Sequence, residues 1–523
     1  MGFSKGSTST FIVERKMYLK PDDYAYLESR MYIANRMYNA GVKHYRWVLN
    51  TFHSDTNFIS AFEKFKELAD KRNKCNNKKE NTALNAEIKQ CLNDIYVLAK
   101  GYGLTEAGVH GYFANLKNRA YNKSLSIDII QKLGSELFAG IDKCILSTKR
   151  ILHYRKHNQT NTLSNKKDGS GFKFDCATDT LYFGIGLKRK AQLKPIRQKD
   201  TYLKKAMKHR VKYCRIVRKP FGKSYRYFVQ LVMEGTPPMK YRLHGKGEVG
   251  ADIGVSTVAL YNNQHAKFAV LADGIERYDK QLKKYSRQAE RRLRLNNPDC
   301  YNADGTAIKG KKPTVRSKGY RDAIMKLKTT YRKRSEYLLL SHRTLANQIV
   351  SLAETVITEP MDYKALQKKA KETKRQDIPS DIKQKDGSVK QVYKYKRRKR
   401  FGSSINRRAP SLFINVLNSK LVIQRVNCTK YKASQYDHIT KEATKSLLSN
   451  RTKFIGTELV QRDLYSSFLL YNIKDNENID FDACARNFDK FLLLQQNVVE
   501  EIKTKGDTTK NFGLKDFLKL ENK

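Results

Sequence analysis

The chain has 523 residues, and its 104 Lys plus Arg against 51 Asp plus Glu leave a formal charge of +53. A surplus of that size repels itself unless a polyanion neutralises it, while 40% hydrophobic and 11% aromatic residues exclude a disordered basic tail. Nucleic acid is therefore the first partner to consider and an anionic membrane surface the second. No apolar run reaches membrane-spanning length, and MGFSKGSTST has no apolar core for a signal peptide. The eight cysteines are scattered without a C-x-x-C pair. That argues against a zinc finger, an iron–sulfur cluster and a disulfide framework, and it fits a reducing, cytoplasmic setting.

Phe11, Val13, Met17 and Leu19 alternate with Glu14 and Lys16, which predicts a strand over 11–19. Pro21-Asp22 opens a helix, with Leu27, Met31, Ala34, Tyr38, Val42 and Tyr45 at helical spacing. Helical patterns continue in pieces to about residue 152, interrupted by the polar stretch 73–81. This reads as a helical domain over 21–154 inserted after one strand in 1–20. Over 155–244 the texture turns to strands. Tyr225, Tyr227, Val229, Leu231 and Met233 alternate with Arg226 and Gln230. Such strands suggest a small β-barrel closed with the first strand, with Tyr225 and Tyr227 stacking on unpaired bases. An ordinary half-buried sheet accounts for the same pattern.

Beyond Gly245 the segments 249–253, 257–260 and 266–271 read as three strands, and 276–295 and 320–350 as long basic helices. Residues 281–350 hold 18 Lys plus Arg against 5 Asp plus Glu, and 364–410 hold 17 against 4. The second stretch includes the run Lys396, Arg397, Arg398, Lys399, Arg400 and the pair Arg407, Arg408. These are candidate phosphate contacts, although a charge run also serves simply as a solvated face. Between the two, 355–358 reads as a short buried strand. A helix leading into a strand follows over 411–426, then a helix over 462–472. The end, 476–523, reads as helical and polar, without evident chemistry.

Three carboxylates stand in chemically suggestive places. Asp252 lies inside the apolar strand VGADIG, where an ionised group is costly without a cation or a hydrogen-bond network. Glu359 ends the strand VITE before Pro360, and Asp463 opens the helix of QRDLYSSF. Singly, a structural aspartate, an exposed loop glutamate and a dipole-favoured helix start explain them as well. Together they make three hard oxygen ligands, 107 and 104 residues apart, of the kind that suits one or two Mg²⁺ ions and phosphodiester hydrolysis. The order strand Asp, strand-end Glu, helix Asp is an RNase H-like arrangement.

These stretches resemble the TnpB-type RNA-guided nucleases of insertion sequences and their relatives, the type V CRISPR effectors. VGADIGVSTVALY resembles the first RuvC motif, TVITEPMDYKAL the second, and QRDLYSSFLLYNI the third. RKRFGSSINRRAPSLFINVLNSKL and KASQYDHIT resemble the stretches between the second and the third. The resemblance implies an α+β multidomain protein. A β-barrel wedge (1–20 and 155–244) would hold a helical recognition domain (21–154). A RuvC-like nuclease (245–428 and 462–475) would be interrupted by a nucleic-acid-binding insertion (429–461) and followed by a tail (476–523). It further implies Asp252, Glu359 and Asp463 as catalytic Mg²⁺ ligands, a guide RNA and target double-stranded DNA as partners, and no membrane role. Many members place four zinc-binding cysteines before the third motif; here 429–462 holds none, and only His438, so no zinc is expected. Two alternatives remain open: a guided DNA-binding repressor without cleavage, and an RNase H-type transposase acting without a guide.

Overall fold

The computed structural model describes residues 9–75, 77–121, 124–157, 159–238, 244–367, 379–383, 388–392, 402–427, 433–444, 450–475, 477–505 and 512–521. Met1–Lys240 and Tyr241–Lys523 are two compact units.

In the first unit, β1 (Thr10–Tyr18) precedes five helices: α1 (Pro21–His53), α2 (Thr56–Lys74), α3 (Lys78–Gly101), α4 (Glu106–Ala120) and α5 (Ile127–Ile145). Pro21 stands in the first turn of α1 with Asp22 and Asp23 beside the helix's positive end, which explains the sharp start. Strands β2 (Thr162–Ser164), β3 (Phe172–Asp175), β4 (Thr180–Phe183) and β5 (Arg189–Leu193) follow. The short α6 (Thr201–Ala206) then leads to the long hairpin β6 (Val211–Phe221) and β7 (Ser224–Glu234). The antiparallel sheet has the order β2-β6-β7-β1-β5-β4-β3. Its ends are tied by the fully buried Asn165, which accepts from Cys214 N in β6 (2.8 Å) and donates to Phe172 O in β3 (3.1 Å). The helices and the sheet share one core: Phe52, Phe58 and Phe113 of the helices join Phe172, Phe183 and Tyr227 of the sheet in a continuous cluster. A helix face and a sheet face each need a partner, and here they serve one another.

The second unit begins with β8 (Glu248–Ile253), β9 (Thr257–Tyr261) and β10 (Ala266–Val270), an antiparallel meander. The basic helices α7 (Ile275–Leu295) and α8 (Lys318–Val350) carry the chain to β11 (Thr355–Thr358), parallel to β8. After α9 (Tyr363–Gln367), the hairpin β12 (Ser380–Lys383) and β13 (Val389–Val392), α10 (Gly402–Arg408) and α11 (Pro410–Asn418), β14 (Val422–Arg425) adds in parallel to β11. The sheet order is β10-β9-β8-β11-β14. One face packs Val249, Ala251 and Ile253 against Ala346 and Ile349 of α8 and Phe413 of α11. The hairpin β15 (Thr452–Ile455) and β16 (Glu458–Gln461) leads into α12 (Arg462–Tyr471), on the opposite face.

The C-terminal segment departs from its reading as a polar tail. The helices α13 (Phe481–Lys505) and α14 (Leu514–Glu521) bury Cys484, Phe491, Val498, Val499, Ile502 and Phe517, with Phe512 just before α14, in the same cluster as Phe468 and Tyr261. Their apolar residues form a stripe too sparse to show against a polar average, yet wide enough to cover the α12 side of the sheet. No helix among the described residues is long and apolar enough to cross a membrane.

Candidate active site

Strand register brings the first two carboxylates together. β8 and β11 pair in parallel with Ile357 opposite Gly250 and Thr358 opposite Ala251, so the next rung sets Glu359 beside Asp252. The two-residue alternation puts Val249, Ala251 and Val356 into the core on one face. Gly250, Asp252, Ile357 and Glu359 therefore belong to the other face, where α12 lies. Gly250 is what lets α12 approach. A Cβ there would stand 2.1 Å from Ser467 O and 2.6 Å from Tyr471 N. The helix backbone thus rests directly on the central strand, and Asp463 and Ser466, one turn apart, share the helix face toward Asp252.

The first turn of α12 is firmly held. Gln461 accepts from Leu464 N (2.6 Å) as the cap, and its own N–H donates to Gln495 Oε1 (2.7 Å) on α13. Arg462 donates to Asp463 Oδ1 (3.2 Å) and to Asn450 O (2.9 Å), and Arg451 stands 3.8 Å from Asp463 Oδ2. Glu359 accepts from Ala433 N (3.1 Å), which ties the segment after β14 to the end of β11.

Burial, and then the charges of Asp463 and Glu359, push the Asp252 carboxyl well above the ordinary carboxylate range, against a hydrogen bond from Ser466 and the charge of Arg462. By surface exposure Asp252 is only half-buried, but its carboxyl faces the two neighbouring carboxylates, which favour its protonated form. Tyr363, whose hydroxyl donates to Ile253 O (2.9 Å), is likewise raised by burial and by Asp252. Lys453 is lowered to about 8 by burial; its Nζ donates to Tyr436 O (2.8 Å) and lies 4.3 Å from the Tyr465 ring centroid. His438 is a core residue, its Nδ1 2.7 Å from Tyr465 Oη and its ring 4.7 Å from that of Phe488.

The donor set fits a hard divalent cation: three anionic oxygens and no soft ligand. Among the described residues no three acidic, histidine or cysteine side chains close around one point; Asp463 and Glu359 act on Asp252 through their charge. Asp463 is held meanwhile by arginine. Ser466 was within reach of sequence reasoning, three positions after Asp463 on an evident helix. Tyr363, Arg451 and Lys453 carried no signal.

The candidate nucleic-acid contacts divide differently. Tyr227 is 1% exposed, its hydroxyl donating to Glu28 (2.5 Å) and its ring edge-on to Tyr24, so it has no face to offer a base. Tyr225 is partly buried, with the Arg218 guanidinium 4.6 Å from its ring centroid. Both point inward because the odd-numbered positions of β7 face the core. Arg408 is also buried, donating to Leu271 O (2.5 Å) and Ala272 O (3.4 Å). Arg407 pairs with Asp279 at 2.8 Å and Glu276 at 3.4 Å. These two arginines brace α10 against α7 rather than standing free for phosphate. Lys396, Arg397, Arg398, Lys399 and Arg400 lie outside the described residues.

No protein-family model matches the chain, and no curated protein does. Among solved structures it is similar to a chain of a Cas12f1–sgRNA–target DNA complex, at 12% identity and a TM-score of 0.42, over 89% of this chain and 99% of that one. It is also similar to a chain of a CRISPR–Cas12f ternary complex, at 11% identity and a TM-score of 0.23, over 87% and 82%.

Proposed function

We propose that the chain is an RNA-guided DNA endonuclease of the TnpB and type V CRISPR effector kind, with an RNase H-like nuclease site in its second unit. The observation that carries this is the shared face of Asp252, Glu359 and Asp463: a central strand, its parallel neighbour and a helix seated on Gly250 bring three motif carboxylates into one electrostatic group. Mg²⁺ held by them would supply the Lewis acidity that activates water and stabilises the leaving oxygen of a phosphodiester. Gly250 and the Gln461 cap hold α12 in place, Ser466 orients Asp252, and Ala433 N holds Glu359. Arg451 and Arg462 pair with Asp463 and offer positive charge to an approaching phosphate. A guide RNA would neutralise much of the +53 and pair with one strand of the target duplex.

The test is cleavage of duplex DNA by protein purified with its RNA. Sequencing that RNA separates an element's end from a repeat array. Guided binding without cutting would instead mark a repressor, and cutting by RNA-free protein a transposase.

Two further results are expected. Cleavage requires Mg²⁺, survives a zinc-selective chelator, and the purified protein carries no stoichiometric zinc; about one tightly held zinc per chain by elemental analysis would contradict this. Cognate RNA raises the unfolding midpoint of RNA-free protein, adding on the order of 3–4 kcal/mol of stability at 100–1,000 times the dissociation constant, with affinity falling steeply as salt rises. A midpoint indifferent to RNA across a salt series would remove the obligatory guide.

A further inference from the structure

The inward turn of Tyr225 and Tyr227 leaves the even-numbered face of β7 to other residues. Arg226, Phe228 and Gln230 face outward there, opposite Lys219, Val217 and Arg215 of β6. Phe221 and Phe228 stack with centroids 6.0 Å apart. The Arg226 guanidinium lies 4.6 Å from the Phe221 centroid, and Lys219 Nζ 5.1 Å from that of Phe228. Lys219 also pairs with Glu14, and Arg226 beside it is exposed.

Along the same face of β6 lies a cavity of about 570 Å³. Lys132, Arg155 and Arg215 give it positive charge against Glu136 alone; the hydroxyl and amide groups of Gln159, Thr160, Asn161, Thr162 and Ser164 complete it. Arg155 pairs with Glu136 at 2.8 Å, which leaves Lys132 and Arg215 as its unbalanced cations. With no apolar or aromatic side chain in its lining, the cavity suits a sugar–phosphate backbone rather than a base or a lipid chain. From Arg215 to Phe221 the strand runs about 20 Å. Residues 188–226 hold 16 Lys plus Arg against one acidic residue, Asp200.

We infer that the outer face of the β6–β7 ribbon is a track for single-stranded nucleic acid. The Phe221–Phe228 stack, topped by Arg226, receives unpaired bases, and the cavity at Lys132 and Arg215 receives the adjoining phosphates. A duplex keeps its bases stacked on one another and cannot use the aromatic pair, so the track selects unpaired strands. The inference rests on the proposed nucleic-acid partnership but not on cleavage.

The experiment is binding of the full chain to short labelled oligouridylate, oligothymidylate and a duplex of equal length, across a salt series. Phe228→Ala is expected to weaken both single strands roughly tenfold with the salt slope unchanged, and Phe228→Trp to restore binding. Arg215→Ala is expected to weaken binding and to make the slope shallower by about one. For Arg215→Ala, a loss confined to RNA assigns the hydroxyl-lined cavity to the ribose 2′-OH, and an equal loss on both strands assigns it to phosphate alone. Both support the track. Should Phe228→Ala fail to fold by thermal melting, Arg226→Glu, on an exposed side chain, carries the same test. Wild-type affinity in all of these variants, or duplex bound as tightly as single strands and weakened equally by Phe228→Ala, overturns it. Single-strand binding is read in a chelator and duplex cleavage separately on the wild-type chain with Mg²⁺, so failure of the track and failure of the nuclease reading are distinguishable.

Discussion

Asp252→Asn is expected to abolish cleavage, to leave guided DNA binding intact, and to raise the unfolding midpoint of the metal-free protein at neutral pH by a few degrees. Both effects come from one arrangement. The Asp252 carboxyl is held above its unfolded value by burial and by Asp463 and Glu359. The native state therefore binds more protons than the unfolded chain between the two values, and stability falls as pH rises through that window. An amide in place of the carboxyl removes this pH-dependent penalty and also removes the anionic ligand that a divalent cation needs. Glu359→Ala and Asp463→Ala are expected to abolish cleavage as well, since the remaining pair cannot hold the ions in line with a phosphodiester. Cleavage rates with Mg²⁺ supplied, alongside melting curves in a chelator, check both halves. Full cleavage by any one of the three variants would remove that residue from the site. An Asp252→Asn protein that is inactive and also less stable would point to a structural aspartate instead.

Gly250→Ala should be nearly as damaging to catalysis, although it touches no ligand. The added methyl meets Ser467 O and Tyr471 N, backbone atoms that cannot rotate aside. The helix must lift from β8, and it carries Asp463 and Ser466 with it. The expected cost is about 1–3 kcal/mol of stability, read as a lower denaturant midpoint at unchanged slope. A displacement of the reacting groups by about an ångström costs on the order of a hundredfold in cleavage rate per folded molecule. A Gly250→Ala protein with wild-type stability and rate would mean that α12 does not sit on the strand as described.

Local pattern alone placed most of this architecture. The strand expected at 355–358 is found there, the basic helices fall within a few residues of 276–295 and 320–350, and the break at 73–81 separates α2 from α3. The three carboxylates were legible because each sits in a short motif whose composition is unusual for its element: an acid inside an apolar strand, before a proline, and at the start of an apolar helix. Each of these signals is contained within a few neighbouring residues, so no distant contact is needed to read it.

What sequence could not decide was which way side chains face and what they meet. Alternation marked Tyr225 and Tyr227 as one face of a strand, but only the pairing of β7 with β1 and β6 and the packing of Glu28 beneath it made that face the inside. Arg408 reads as part of a basic run, yet the carbonyls of Leu271 and Ala272, far away in the chain, make it internal. Residues 481–521 average out as polar, and only the exposed apolar side of α12 and β9 gives their stripe something to cover. The seat of α12 on Gly250, and with it the neighbourhood of Asp252 and Asp463, is a contact across more than two hundred residues. The sequence by itself determined the elements and the chemistry they carry, because both are written locally. The tertiary structure alone decided inside from outside and neighbour from stranger, because those depend on surfaces that exist only once distant segments have met.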